Sequence, residues 1–87
     1  MTYKIEILPS AKRSLVALPK KIQKQIDRGI LSLSENARPQ GVKKLKKTGD
    51  LYRIRSGDYR VIYQIKDDIL TILIIRIGHR KDIYRKL

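Results

Sequence analysis

The sequence predicts an α+β domain in which a helical hairpin covers one face of a mostly antiparallel four-stranded sheet and leaves the other face open, in the order β-α-α-β-β-β. Two observations support this. Apolar residues recur at helical spacing between positions 18 and 33, and they alternate or run in short segments at both ends of the chain. At 87 residues the chain has the length of one small domain, so we expect residues 1–87 to form a single domain.

The first strand and the first helix are predicted before residue 18. TYKIEIL, residues 2–8, alternates between apolar and polar side chains, and Pro9 ends it. Ser10 is then a candidate N-cap for a short helix over Ala11–Ala17.

The second helix carries the clearest periodic pattern. It follows Pro19, which suits a first helical turn, and runs to about Ser34. Gly29 inside this helix costs roughly 1 kcal/mol relative to alanine, so we expect close packing at that position. The apolar stripe consists of Leu18, Ile22, Ile26, Ile30 and Leu33.

The second half of the chain is predicted to contain three strands. A turn over residues 35–41 and a basic connector over residues 42–50 precede them. Asp67 and Asp68 suit a hairpin turn better than a magnesium site. Gly78 is expected to end the sheet, and residues 79–87 form a charged tail, either one helical turn or irregular. The three strands are predicted at about Asp50–Ser56, Asp58–Lys66 and Ile69–Ile77.

The segment LYRIRSGDYRVIYQI places three arginines on one face of the sheet. A type II′ turn at Gly57-Asp58 pairs Arg55 with Arg60 and puts Arg53 on the same face. Like charges directly opposite each other weaken a hairpin, so the cluster indicates a bound polyanion. Guanidinium groups bind phosphate oxygens bidentately. The alternative is the solvated polar face that any one-sided sheet has. The tyrosines Tyr3, Tyr52, Tyr59 and Tyr63 fall on the packed faces.

Composition limits the kinds of function. The formal charge of +13, from 21 Lys and Arg against 8 Asp and Glu, predicts a nucleic acid or an acidic protein as partner. The chain has no cysteine and one histidine, so it has no disulfide and no zinc motif, and we expect no metal and no cofactor. The sequence has no signal-peptide core and no apolar run of about 18 residues, which predicts a cytoplasmic protein without a membrane partner.

Further candidate site residues lie in the connector and the tail. His79 is either an inert surface histidine or a proton carrier. Arg80 can reach over the sheet, whereas Arg76 is expected to pair with a carboxylate or to cover apolar surface with its stem. Tyr84 either anchors the tail or acts as a base, because neighbouring arginines lower a tyrosine pKa from about 10. The connector lysines, either solvated or a landing patch for RNA, are Lys43, Lys44, Lys46 and Lys47.

Arginines combined with a tyrosine and no metal fit the cleavage of RNA by its own 2′-hydroxyl. The protein must hold the RNA for in-line attack and supply a base, a proton donor and cations for the developing charge. The motifs GDYRVIY and GHRKDIY, with the opening strand and the LPKKIQKQI helix, resemble the RelE toxins of the RelE/ParE superfamily.

This resemblance implies a RelE-like, microbial-RNase-like fold and a toxin that cleaves mRNA in the ribosomal A site as a ribosome-dependent endoribonuclease. Arg60 matches the family's phosphate-binding arginine. Arg80 matches the arginine assigned to transition-state charge or leaving-group protonation, and Tyr84 matches the proposed general base. The implied partners are a RelB-like antitoxin, the 30S A site and mRNA.

The sequence departs from the family at two positions. Arg53 and Arg55 stand where the best-studied members have lysines, which keeps the charge but removes a side chain able to give up a proton. His79, where some relatives have lysine, is expected to be accessory. The substrate-binding set is Arg53, Arg55, His79, Lys44, Lys46 and Lys47. Two alternatives remain, a ParE-like inhibitor of DNA gyrase and a non-catalytic module that binds RNA or the ribosome.

Overall fold

A computed structural model describes residues 2–45 and 51–83 of the chain. It confirms the predicted α+β class and the order of its main elements. The elements are β1 (Lys4–Ile7), α1 (Pro9–Val16), α2 (Lys20–Glu35), β2 (Lys43–Lys44), β3 (Leu51–Ser56), β4 (Tyr59–Lys66) and β5 (Thr71–His79), with a 3₁₀ turn at Asp67–Ile69.

Within the described residues the sheet has five strands, in the order β1-β5-β4-β3-β2. β1 is parallel to β5, and the other neighbours are antiparallel. The fifth strand, β2, was not predicted: Lys43 and Lys44 were assigned to a loop, but they pair with Arg53 and Tyr52. A strand of two lysines has no alternating pattern, so its pairing depends on β3 rather than on its own sequence.

Both helices pack on one face of the sheet, and the core lies between the two layers. The predicted stripe of α2 is confirmed, since Ile26, Ile30 and Leu33 are buried and Ile22 packs beside them. From the sheet, the buried core residues are Ile54, Val61, Tyr63, Ile65, Ile72, Ile74 and Ile77. The other three tyrosines predicted on packed faces, Tyr3, Tyr52 and Tyr59, are partly buried against this core.

Helix α1 starts earlier than predicted. Leu8 is its N-cap residue, and Pro9 occupies the first turn, where its fixed φ and missing N–H are tolerated. Ser10 therefore lies inside the helix, and the prediction that it is the N-cap was wrong. No helix among the described residues combines the length and apolar character needed to cross a membrane.

The outer face of the sheet, which points away from the helices, is partly covered. β5 continues through Gly78 to His79, so Gly78 does not end the sheet as predicted. The next four residues, Arg80–Ile83, form a turn that we call the C-terminal turn. Ile83 is 2% exposed and lies against Gly78. Ile62 of β4 is fully buried outside the helix-side core, so this face is not open as predicted.

Candidate nucleic-acid interface

The β3–β4 hairpin has the predicted register. Arg55 pairs with Arg60, and Arg53 pairs with Ile62. Gly57 has φ +61°, while Leu70 is the one non-glycine residue with positive φ in the described part of the chain, so the turn matches the predicted type II′. Because cross-strand partners point to the same side, all three arginines belong to the outer face.

Arg55 and Arg60 converge on one oxygen atom at the tip of this hairpin. Nε of Arg55 donates to the Gly57 carbonyl at 3.3 Å, and Nη1 of Arg60 donates to the same carbonyl at 3.2 Å. Arg60 also donates to the Tyr59 carbonyl at 3.2 Å. A guanidinium has five N–H donors, so most of them are not used in these bonds. Two like charges are thus held side by side with donors left for an anion.

Arg80 is attached to the same hairpin tip. Its backbone N–H donates to the Asp58 carbonyl at 2.9 Å, and its side chain is exposed. The structure therefore brings Arg55, Arg60 and Arg80 to one end of the sheet, and we call these three residues the arginine cluster. Within residues 2–45 and 51–83, none of the three forms an ion pair with a carboxylate.

Arg53 and Lys43 extend the positive charge of the outer face away from the hairpin tip, since they are cross-strand partners. Arg53 is half-buried in β3. Lys44 is exposed in β2 and pairs with Tyr52, so the register places it on the helix side of the sheet. Successive same-face residues on a strand are about 7 Å apart, close to the spacing of phosphates along a nucleic acid strand. Arg53 and Arg55 also border a cleft of 490 Å³ lined by Gly29, Ser32, Pro39, Gln40, Gly41, Lys43 and Ile54.

His79 lies on the other side of the sheet. It pairs with Tyr59, and the two rings meet edge to face with centroids 5.5 Å apart. Its Nδ1 accepts the Lys81 N–H at 3.2 Å, and its carbonyl accepts the N–H groups of Asp82 and Ile83 at 2.9 and 3.0 Å. The histidine therefore holds the C-terminal turn, and the register does not bring its side chain to the outer face.

Three predicted site residues, Tyr84, Lys46 and Lys47, lie outside the described residues. Ile83 lies against Gly78, and Gly78 is the cross-strand partner of Arg60.

Arg76 has a partner that was not predicted. Its Nη1 donates to the Ile83 carbonyl at 3.0 Å. The sequence analysis expected either a carboxylate partner or a stem that covers apolar surface. The side chain is half-buried and belongs to the outer face, since its cross-strand partner is Ile62. The arginine within the apolar run ILIIRI marks this position in the sequence. Its acceptor could not be predicted, because every residue has a backbone carbonyl.

The described residues contain no group of three or more His, Cys, Asp or Glu side chains arranged to hold a metal ion. What the geometry offers is a set of guanidinium groups at one end of a sheet. The fold and this surface define a small α+β protein with a cationic hairpin tip.

Comparisons with known proteins identify the family to which the chain belongs. A family model described as the ParE toxin of the type II toxin–antitoxin system parDE matches residues 5–84. Toxin RelG of Mycobacterium tuberculosis is 31% identical over 87 residues, covering 99% of this chain and 100% of that toxin. The chain therefore belongs to the RelE/ParE family of type II toxins, as its motifs predicted.

Solved structures of RelE toxins have the same fold. The RelE–RelB complex from Pyrococcus horikoshii OT3 gives a TM-score of 0.82 at 34% identity, over 94% of this chain and 99% of that chain. The toxin–antitoxin complex RelBE2 from Mycobacterium tuberculosis gives 0.82 at 28% identity, over 92% and 100%. These matches confirm the RelE-like arrangement of two helices on a mixed sheet.

Proposed function

We propose that this toxin is a ribosome-dependent endoribonuclease that cleaves mRNA in the A site and thereby inhibits translation. The RNA 2′-hydroxyl attacks the adjacent phosphorus, and the bond to the 5′-oxygen breaks. The observation that supports the proposal is the arginine cluster, Arg55, Arg60 and Arg80, held at one end of the sheet.

The catalytic residues in this proposal are Arg60, Arg80 and Tyr84. Arg60 binds the reacting phosphate, because its guanidinium is fixed at the hairpin tip with donors to spare. Arg80 stabilises the charge that develops on the phosphorane or on the leaving oxygen. Tyr84 is the proposed base and takes the proton of the 2′-hydroxyl.

The remaining cations bind the RNA on either side of the reacting phosphate. Arg53 and Arg55 lie along β3 and contact flanking phosphates, and Lys44 in the neighbouring edge strand β2 is a further RNA contact at this edge of the sheet. Lys46 and Lys47 are further proposed contacts to the RNA, and His79 is accessory. Because arginine stays protonated at every relevant pH, positions 53 and 55 act through charge rather than proton transfer.

Dependence on the ribosome follows from the openness of the surface. Arg55 and Arg80 are exposed at the hairpin tip, where nothing in the described residues encloses an RNA strand. Alignment for in-line attack is worth several kcal/mol, about 7–11 in well-oriented systems, and the ribosome supplies it here. Isolated protein at catalytic concentration is therefore expected to cut free RNA poorly.

Primer extension on an mRNA programmed into ribosomes, beside the same mRNA free in solution, tests the proposal. We expect discrete cuts within the A-site codon on ribosomes alone. Tyr84→Phe should abolish most cleavage while binding is kept, and Arg13→Ala on the exposed side of α1 serves as control. Efficient cutting of free RNA would refute ribosome dependence, and no cutting in either sample would refute the nuclease.

An antitoxin similar to RelB is the proposed protein partner. Both solved structures compared above are complexes of a toxin with its antitoxin. With a charge of +13 this chain favours an acidic or amphipathic partner that covers the arginine cluster or displaces the tail carrying Tyr84. The complex is expected to leave ribosome-bound mRNA intact. Cleavage at the rate of the free toxin would contradict this mode of neutralisation.

Inhibition of DNA gyrase is the second candidate function, and the match to the ParE toxin model favours it. The arginine cluster argues against it, because a gyrase inhibitor does not need such a group of cations. DNA breaks with intact mRNA after induction, together with inhibition in a supercoiling assay, would support gyrase. If the protein is instead a non-catalytic binding module, the Tyr84→Phe variant should function like the wild type.

A further inference from the structure

We propose that the cleft between α2 and the edge of β3 binds one nucleotide of a single-stranded RNA, with the base inside the cleft and its phosphates at the mouth. This site rests on the proposed nuclease function and deepens it. It assigns a nucleotide beside the reacting phosphate to a surface that extends from the arginine cluster towards α2.

The cleft exists because the edge of β3 is only partly covered. Within the described residues, β2 pairs with Tyr52 and Arg53 and extends no further along β3. From Ile54 onward this edge faces the cleft, and α2 forms another of its walls. Successive residues of a strand point to opposite faces, so Ile54 points to α2 while Arg53 and Arg55 point to the outer face. The open edge therefore connects the cationic outer face with an apolar floor.

The floor of the cleft is apolar and is not filled by a side chain. Ile54 is 8% exposed, and the α2 residue next to it is Gly29, where a Cβ would lie 3.7 Å from Cδ1 of Ile54. Pro39 adds a second apolar surface. The volume of 490 Å³ is within the range of pockets that hold small ligands, about 300–1,000 Å³. A nucleobase suits this slot, because each of its faces is an apolar π-surface.

A tight turn forms one rim of the cleft and presents an amide side chain. The Val42 N–H donates to the Pro39 carbonyl at 3.1 Å, and Gly41 has φ +87°, which is the geometry of a type II turn with glycine at its third position. Gln40 is exposed in this turn and lines the cleft. A glutamine amide offers one donor and one acceptor side by side, the pattern that matches N7 and N6 of adenine. The rim therefore favours adenine over uracil.

The mouth of the cleft is cationic. Lys43, Arg53 and Arg55 line it, and none of the described residues that line it is acidic. Arg55 also belongs to the arginine cluster, where its Nε donates to the Gly57 carbonyl at 3.3 Å. A phosphate bound by Arg55 is thus shared by the cluster and the cleft, so the base in the cleft is next to the reacting phosphate. An acidic side chain would satisfy these cations but would leave the apolar floor uncovered, which favours a nucleotide as the occupant.

NMR titration of the free protein tests whether the cleft takes a base, without ribosomes and without cleavage. The probes are 2′-O-methyl tetra-adenylate, whose blocked 2′-oxygen cannot attack, and an abasic strand with the same number of phosphates. We expect the amides of Ser32, Gln40 and Gly41 to shift with the adenylate only, whereas those of Arg53 and Arg55 shift with both strands. Identical shifts with the two strands would limit this surface to phosphate binding and overturn the proposal.

Filling the cleft tests the same point through affinity. Gly29→Leu adds an apolar side chain next to Ile54, and Ala17→Leu adds the same side chain at an exposed position outside the cleft as the matched control. We expect Gly29→Leu to bind tetra-adenylate about tenfold more weakly, the usual loss when the contact to one base is removed, with its affinity for the abasic strand unchanged. Ala17→Leu should bind both strands as the wild type does. Wild-type affinity of folded Gly29→Leu for tetra-adenylate would contradict base binding in the cleft.

Gln40→Ala tests the choice of base at a position that does not contribute to the core. The wild type should prefer tetra-adenylate to 2′-O-methyl tetra-uridylate, and the variant should reduce this ratio of affinities by about fivefold or more, as loss of a bidentate base contact does. An unchanged ratio would overturn the assignment of the base to this rim.

Two further outcomes distinguish this site from its rivals. A glutamate peptide that shifts the amides of Ser32, Gln40 and Gly41 as the adenylate does would assign the cleft to an acidic protein segment and overturn nucleotide binding. If the wild-type protein leaves ribosome-bound mRNA intact, the proposed nuclease fails, while the titrations with non-cleavable strands still decide whether the cleft binds a nucleotide.

Discussion

Arg55 and Arg60 lie directly opposite each other and share the Gly57 carbonyl, an arrangement that opposes two like charges for no evident structural gain. Repulsion between such cross-strand pairs costs a few tenths of a kcal/mol or more. A phosphate bound between the two guanidinium groups would attract both of them and so offset that repulsion. The pair is therefore better suited to a bound anion than to the free protein.

Arg60→Ala is expected to lower cleavage of ribosome-bound mRNA by about 10²–10³-fold, the usual loss when one transition-state donor is removed. Stability should change by less than about 0.5 kcal/mol, since the side chain is not fully buried and its removal relieves repulsion. Arg60→Lys keeps the charge but loses the bidentate fork, so its cleavage rate should lie between those of the wild type and Arg60→Ala. Single-turnover rates and urea midpoints check these effects, and an equal loss in Arg28→Ala on exposed α2 would show that total charge alone matters.

Burial in the core changes the ionisation of Tyr63. Burial raises its pKa above the usual range, and its hydroxyl donates to the Ala37 carbonyl at 2.8 Å. The unfolded tyrosine ionises from about pH 10, so the stability contributed by the buried phenol is complete below that pH and lost as pH rises through the higher folded pKa.

Tyr63→Phe leaves the Ala37 carbonyl without its partner and is expected to lower stability at pH 8 by about 1–3 kcal/mol. Between pH 8 and 10.5 the wild type should lose more stability than the variant, because the variant has no phenol to ionise in the unfolded state. Urea unfolding at the two pH values measures this. Parallel losses in both proteins would contradict the link to Tyr63.

Gly29 in α2 is packed less tightly than the sequence predicts. Close packing was predicted there, but an added Cβ would meet Ile54 Cδ1 at 3.7 Å, an ordinary contact distance. Gly29→Ala is thus expected to raise the free energy of unfolding by about 0.5–1 kcal/mol through the lower entropy of the unfolded chain. Urea unfolding would show the gain.

Gly57→Ala provides the opposite case within the same fold. Gly57 has φ +61°, and a Cβ there would stand 3.2 Å from Nε2 of Gln25. An alanine in this conformation costs about 1–2 kcal/mol, so this variant should unfold more readily. Equal destabilisation by Gly29→Ala and Gly57→Ala would show that the fold does not tolerate a side chain at position 29.

At the scale of elements, the sequence was informative where a pattern repeats over six or more residues. The stripe of α2 and the alternation of β3 and β4 each depend on local periodicity, and the Gly57 turn set the register that gathers the arginines. β2 could not be predicted, because a strand of two lysines is defined by a partner distant in sequence. For the same reason the acceptor of Arg76 was missed. The C-terminal turn agrees with one of the two predicted alternatives for this segment, one helical turn or irregular chain.

At the scale of the whole molecule, the two ends of the sheet are built differently. One end carries the arginine cluster, and the other is closed by an ion pair between Arg38 and Asp67 at 3.0 Å. The Tyr3 hydroxyl also donates to Asp67, and the Arg38 guanidinium lies 5.3 Å from the centre of the Tyr52 ring. This group joins β1, the segment after α2, the turn before β5, and β3. It holds the two halves of the chain together without occupying the cationic face.

Acid should weaken this end of the molecule. The Arg38 guanidinium beside Asp67, with the Tyr3 hydroxyl, lowers the pKa of that carboxyl. A depressed folded pKa contributes stability that is present above the unfolded value of about 3.9 and lost as pH falls through the folded one. Protonation also raises a net charge that is already +13, which adds self-repulsion to the loss of the ion pair.

Asp67→Asn is therefore expected to be less stable than wild type at pH 7 and nearly equal to it at low pH, because the wild type loses the ion pair on acidification while the variant has none to lose. Asp27→Asn, on the exposed side of α2, removes the same charge away from Arg38 and serves as the matched control. Urea midpoints at pH 7 and pH 2.5 measure the three proteins. A gap between wild type and Asp67→Asn that persists at pH 2.5 would show that packing at Asp67, not its charge, holds this end of the sheet.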